Sequence, residues 1–230
     1  MRALTFGFLL LLGGCSGCDG KPATQPKRAP LPGDVLLAVD GIEFTFGDVQ
    51  PFLDFYDRLF PEWGKQTKMR QILTSYLVPL KFARRDFFPA ERAPRLEAAR
   101  ALRQVADNAR ELEARSTSLT RFRQTVIVQQ VDLPVAMFLF DSSRVGAVSQ
   151  PIEVPQGWTV ATALDLKESN GHSGGAVGDD LCDALLVGFY VADKTAWEPW
   201  LAHLRTDLAN KKATFVHPDF RDAIPEYLLR

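Results

Sequence analysis

Val35-Leu36-Leu37-Ala38-Val39-Asp40-Gly41-Ile42-Glu43-Phe44-Thr45-Phe46 is the stretch on which the reading of this chain turns. Two short apolar runs flank Asp40-Gly41, a pair suited to a two-residue turn whose central residues need positive φ, so a tight hairpin is predicted. Helical spacing follows it. Val49, Phe52, Phe55, Tyr56 and Leu59 share one side of a helix that starts near Gly47 or Asp48 and ends before Pro61. Met69, Ile72, Leu73, Tyr76, Leu77, Leu80, Ala83 and Phe87 mark a second helix, kinked at Pro79. Leu96, Ala99, Leu102, Val105, Ala106, Ala109 and Leu112 mark a third, over about 90–115, with Arg and Glu opposite.

After Thr120 the texture changes. Thr125 to Val131 and Gly157 to Leu166 read as strands, with a short helix from Leu133 to Phe140 between them. Asn170 to Gly178 is a Gly-rich loop. Helices are predicted over Asp179–Ala192 and Thr195–Asn210, then a short strand over Ala213–Val216. A hairpin, a helical run and later scattered strands make an α+β fold, mostly helical with a small β-containing insert.

Upstream, Arg2 and the apolar run from Ala3 to Leu12 form a secretion signal too short to span a bilayer. Leu12-Gly13-Gly14-Cys15 resembles the lipobox of bacterial lipoproteins, which implies cleavage before Cys15 and a lipid on its sulfur. Ser16 after the cysteine favours the outer membrane by the same resemblance, facing the periplasm. Residues 15–33, with prolines at 22, 26, 30 and 32, are a tether. The domains expected are therefore a signal over 1–14, the lipidated tether over 15–33, a helical domain over 34–120, an insert over 121–178 and a returning C-terminal part over 179–230.

Composition is that of an ordinary globular chain, 46% apolar and 24% charged with a net charge of −1, and nothing in it predicts nucleic-acid binding or adhesion to anionic lipid. Ten arginines against six acids between Arg84 and Arg123 are offset by eight basic and fourteen acidic residues from 124 to 230. A solvated helix face balanced from elsewhere accounts for this. Cys182 could pair with Cys18 in an oxidising compartment, but its spacing with Leu185, Leu186 and Phe189 fits a buried apolar position better.

Residues 34–115 with 196–218 resemble the chaperone domain of SurA-type periplasmic folding factors, through Leu37-Ala38-Val39-Asp40-Gly41-Ile42-Glu43-Phe44-Thr45 and the late helix around Trp197 and Trp200. In that family the last helix and strand return to the amino-terminal domain. Phe138 to Val160, with Gly146-Ala147-Val148-Ser149-Gln150-Pro151-Ile152 and Gly157-Trp158-Thr159-Val160, is similar to the closing part of a parvulin-type peptidyl-prolyl isomerase. The resemblance implies a histidine where this chain has Thr159 and another on a first strand that here has none, so the isomerase segment reads as degenerate, without a shaped pocket for a twisted amide.

Two further patterns compete with simpler readings. Gly171-His172-Ser173-Gly174-Gly175 matches a nucleophile elbow, but polar residues precede it where a buried strand belongs, so a surface loop is favoured over a serine hydrolase. Asp179, Asp180 and Asp183 near His172 and Cys182 fit a helix N-cap and acidic first turn better than a metal site. The reading is a lipid-anchored envelope folding factor that binds unfolded or assembling polypeptides, with no cofactor, metal or catalytic residue. Client contact falls to whichever of Phe52, Phe55, Tyr56, Phe60, Trp63, Trp197 and Trp200 remain exposed. An active isomerase, a hydrolase at Ser173 and a purely structural lipoprotein are the alternatives.

Overall fold

The structure, a computed structural model, describes residues 29–167, 180–211 and 213–229. The signal segment, Cys15, Cys18, most of the tether and the Gly171–Gly175 pattern with His172 and Ser173 lie outside the described residues. The fold is mixed α and β with two antiparallel sheets, α+β as expected.

The quoted stretch forms β1 (Val35–Val39) and β2 (Ile42–Thr45), antiparallel, with Asp40 and Gly41 at φ 50° and 76°. Thr45 then caps helix α1 (Phe46–Leu59). Its hydroxyl accepts from Asp48 N–H, while the Asp48 carboxylate accepts from Thr45 N–H at 2.7 Å. Helix α2 (Lys65–Ile72) runs into a π-helical turn, Leu73–Leu77, and on into α3 (Val78–Asp86). The expected irregularity at Pro79 thus takes the form of a π-turn. The Val78 N–H reaches back to Leu73, one residue farther than in an α-helix, just before the proline that has no N–H to give.

The predicted third helix is two, α4 (Pro89–Gln104) and α5 (Ala109–Arg115). Asn108 ends the continuity, because its side chain accepts from Glu111 N–H at 3.0 Å and starts a new helix.

Strand β3 (Thr120–Val126) precedes α6 (Leu133–Leu139), β4 (Ile152–Val154), β5 (Gly157–Lys167) and β6 (Leu181–Tyr190). Two expectations need correction. The strand set at Thr125–Val131 lies several residues earlier, since residues 120–125 are an exposed, polar sheet edge and Val128 turns inward in a 3-10 turn. The helix expected over 179–192 is strand β6. It is central in the sheet of order β3-β6-β5-β4, with apolar cover on both faces. Its unbroken run from Ala184 to Tyr190 suits such a strand, and Asp180 and Asp183 are accordingly no helix cap.

Helix α7 (Lys194–Lys211) leads to β7 (Phe215–Val216), which pairs with β1 and closes the three-stranded sheet β2-β1-β7. Leu204 and Leu208 join the apolar cluster that runs from the hairpin through α1–α3 and α6 to one face of the larger sheet. A second cluster packs Ala99, Leu102 and Leu112 of α4 and α5 on Leu185, Val187 and Phe189 of its other face.

The arginine surplus is balanced partly from the second half of the chain and partly by acids of the first. Glu153 on β4 accepts from Arg92 at 2.8 Å and from Arg84, and Arg92 also donates to the carbonyl of Pro155 at 3.0 Å. Arg85 pairs with Asp40. Although burial opposes it, the hydrogen bonds from Arg84 and Arg92 hold the Glu153 carboxyl below its ordinary range.

Candidate functional site

Helix α1 ends at Leu59 ahead of Pro61, and the turn that follows carries Trp63 back over the last helical turn, its N–H donating to the Phe60 carbonyl at 3.1 Å. The Trp63 ring stacks on Phe60 at 4.5 Å and on Tyr56 at 6.0 Å, with Tyr56 and Phe60 themselves 5.6 Å apart as helical neighbours. These three rings line a cavity of about 300 Å³ together with Val131, Asp132 and Leu133 and the polar Gln71 and Ser75.

The segment Gln130-Val131-Asp132 also lines a second cavity, of about 260 Å³. Phe122 and Gln124 of β3, Thr159 of β5, Leu186 and Tyr190 of β6 and Val135 of α6 surround it. Period-2 alternation puts Phe122 and Gln124 on one side of β3, toward the face that α6 covers. Phe122 is 43% exposed, so this cavity opens at the sheet edge, whereas Thr159 and Leu186 are buried at its base. Thr159 thus lines a cavity in which the apolar side chains of Val135 and Leu186 meet the hydroxyl-bearing Thr159 and Tyr190.

Burial raises the Tyr190 phenol, an effect that the neighbouring Thr159 hydroxyl partly offsets. Between the cavities sits Asp132, at the N-cap position of α6, yet its carboxylate makes no capping bond. No hydrogen-bond or ion-pair partner for that carboxylate is found among the described residues, and burial pushes it up to about 6.

Of the aromatic residues singled out from the sequence, Tyr56, Phe60 and Trp63 come together at a cavity. Phe52 instead packs edge-on against Tyr76 at 5.1 Å, and Phe55 is buried in the core with Arg58 above its ring. Trp197 and Trp200 stack on each other at 5.0 Å and close over Phe87, forming a separate cluster with Ala83 and Val191. Cys182 is a buried free thiol on β6 whose Sγ lies 3.7 Å from the Leu139 carbonyl, and burial pushes its pKa up to about 11. Asp183 bonds Thr125 across the β3–β6 ladder and lies 3.8 Å from Lys167. No metal-ligand cluster is present among the described residues.

Asp132, Tyr190, Phe122 and Leu186 were not flagged by the sequence. Asp132 precedes Leu133-Pro134 and reads as an ordinary helix cap, and the other three are distant in sequence and meet only through the β3-β6-β5 order. No family model, curated protein or solved structure matches this chain.

Proposed function

We propose that this chain is a lipid-anchored folding factor of a bacterial cell envelope, holding extended segments of unfolded or assembling secreted and outer-membrane polypeptides without bond chemistry. The observation that carries the reading is the pair of cavities sharing the wall 130–132, one aromatic and one opening at a sheet edge. Side chains of an extended peptide can occupy neighbouring cavities of this size while its backbone stays in water, which gives weak and reversible capture. The likeness of residues 34–115 and 196–218 to SurA-type chaperone domains supports it, as does the lipobox at Cys15.

A second reading rests on the cavity beside Thr159. A prolyl isomerase lowers a barrier of about 18–20 kcal/mol by favouring a twisted amide in an apolar pocket with polar groups nearby. Val135 and Leu186 with Thr159 and Tyr190 supply such a mixture. Capture is preferred, since the described part of this cavity has no histidine of the kind the parvulin resemblance implies.

Light scattering of an unfolded outer-membrane protein, run beside a protease-coupled proline-peptide assay, separates the two. Suppressed aggregation without faster isomerisation is expected. Turnover abolished by Thr159→Val would move the isomerase to first place.

A further inference from the structure

We propose that the cavity between Trp63 and Asp132 is a binding site for an organic cation, the ammonium or guanidinium head of an alkylamine or of a lysine or arginine side chain. Three observations meet there. Tyr56, Phe60 and Trp63 line it, the first two buried and stacked with Trp63, and an aromatic face attracts a cation through its quadrupole. Asp132 is a further lining residue, and its carboxylate neither caps α6 nor pairs with any described residue. No lysine or arginine lines the cavity, and the cations nearest its lining along the chain are engaged elsewhere, Arg58 over the Phe55 ring at 5.7 Å, Lys65 over the Phe46 ring at 4.9 Å, Lys68 with Asp57 at 2.6 Å and Arg70 with the Asp222 carbonyl.

A half-buried carboxylate without a counter-ion is costly to keep charged, and the protein normally meets that cost with a partner. At about 300 Å³ the cavity takes a butyl-length amine but not a folded domain. Gln71 and Ser75 in its lining can accept the remaining N–H groups, which an ammonium carries in threes and a guanidinium in fives. The rings add attraction that a neutral chain of equal length lacks. The site therefore selects on charge, not only on apolar length.

The inference does not depend on the folding-factor reading, because the same head group comes from a free amine or from a polypeptide. The full chain is titrated with n-butylammonium, with blocked Ala-Ala-Lys-Ala-Ala and with the same peptide carrying norleucine, following the Trp63 indole N–H by NMR. Saturable shifts with both cations are expected, at least tenfold weaker binding of the norleucine peptide, and at least tenfold loss for both cations in Asp132→Asn. A peptide much tighter than butylammonium identifies a protein-borne source, and equal affinities identify a free amine. A silent Trp63 indole, or equal binding by Asp132→Asn confirmed as folded by its melting curve, overturns the site. Cation binding with no suppression of aggregation leaves the site standing and removes the folding-factor reading alone.

Discussion

At Asp132 a single carboxylate ties stability to pH. Its ordinary value is 3.8 and burial lifts it to about 6, so the folded chain holds the proton more tightly than the unfolded one. The sign follows: the stabilisation is fully present below about pH 4 and is lost as pH rises through about 6. Tyr56 of α1, Tyr76 of the π-turn and Tyr190 of β6 are the titratable groups around it, and all three stay neutral across that window. Asp132→Asn should therefore gain about 1–3 kcal/mol at pH 7.5 and almost nothing at pH 4. Urea unfolding at the two pH values checks this, and an equal effect at both would count against an unpaired carboxylate. Glu153 acts with the opposite sign and in a lower window, because its depressed value stabilises the fold above the ordinary carboxylate range and fails on acidification. Its partner Arg92 is 8% exposed and also donates to the Pro155 carbonyl, whereas Glu153 keeps Arg84, so Arg92→Ala should cost about 1–3 kcal/mol by the same unfolding measurement. None of this was legible in the sequence, where Asp132 is one cap-like aspartate among several and Glu153 and Arg92 are 61 residues apart.

At the scale of elements, turn and cap chemistry was readable and strand against helix was not always. Asp40-Gly41, Thr45 with Asp48, and Pro61 each act within a few residues, and each does what its local chemistry dictates. β6 shows the limit. Cys182, Leu185, Leu186 and Phe189 fit a helical stripe, but Ala184, Val187 and Gly188 between them are equally buried, which only a strand covered on both faces requires. β3 errs the other way, its exposed edge carrying arginines and glutamine in place of an apolar signature. The β5–β6 ladder rests on a position where only glycine fits. Gly157 has φ of 148°, and a Cβ there would run into the backbone carbonyl oxygen of Phe189 and lie 3.0 Å from Tyr190 Cα. Gly157→Ala should cost about 2–4 kcal/mol, read as a lowered melting temperature, and should loosen Tyr190 at the second cavity. An unchanged melting temperature would mean that the start of β5 adapts freely.

For the whole molecule, the ends of the described chain are tied together. β7 pairs with β1, the N–H of His217 donates to the Leu36 carbonyl at 2.9 Å, and Leu208, Ile224 and Leu228 are fully buried in the cluster that holds the hairpin and α1. Along α7 the apolar side chains divide, Leu204 and Leu208 entering that cluster while Trp197 and Trp200 go to Phe87 and not to the aromatic cavity. Burial of each large side chain contributes about 1.5–3 kcal/mol, so ending the chain at Asp193 should unfold residues 34–115 as well. A truncated protein with its full melting temperature would show that the two segments do not share a core. The two cavities were beyond sequence reasoning because three parts of the chain build them, α1 with its following turn, the 130–132 segment and the β3-β6-β5 strands. The most direct measurement of the central claim is an amide and indole NMR map of the full chain as an unfolded outer-membrane polypeptide fragment is added. Shifts concentrated at Trp63, residues 128–132, Phe122 and Tyr190 are predicted; a silent map there, or shifts centred on Trp197 and Trp200, would contradict capture at this site.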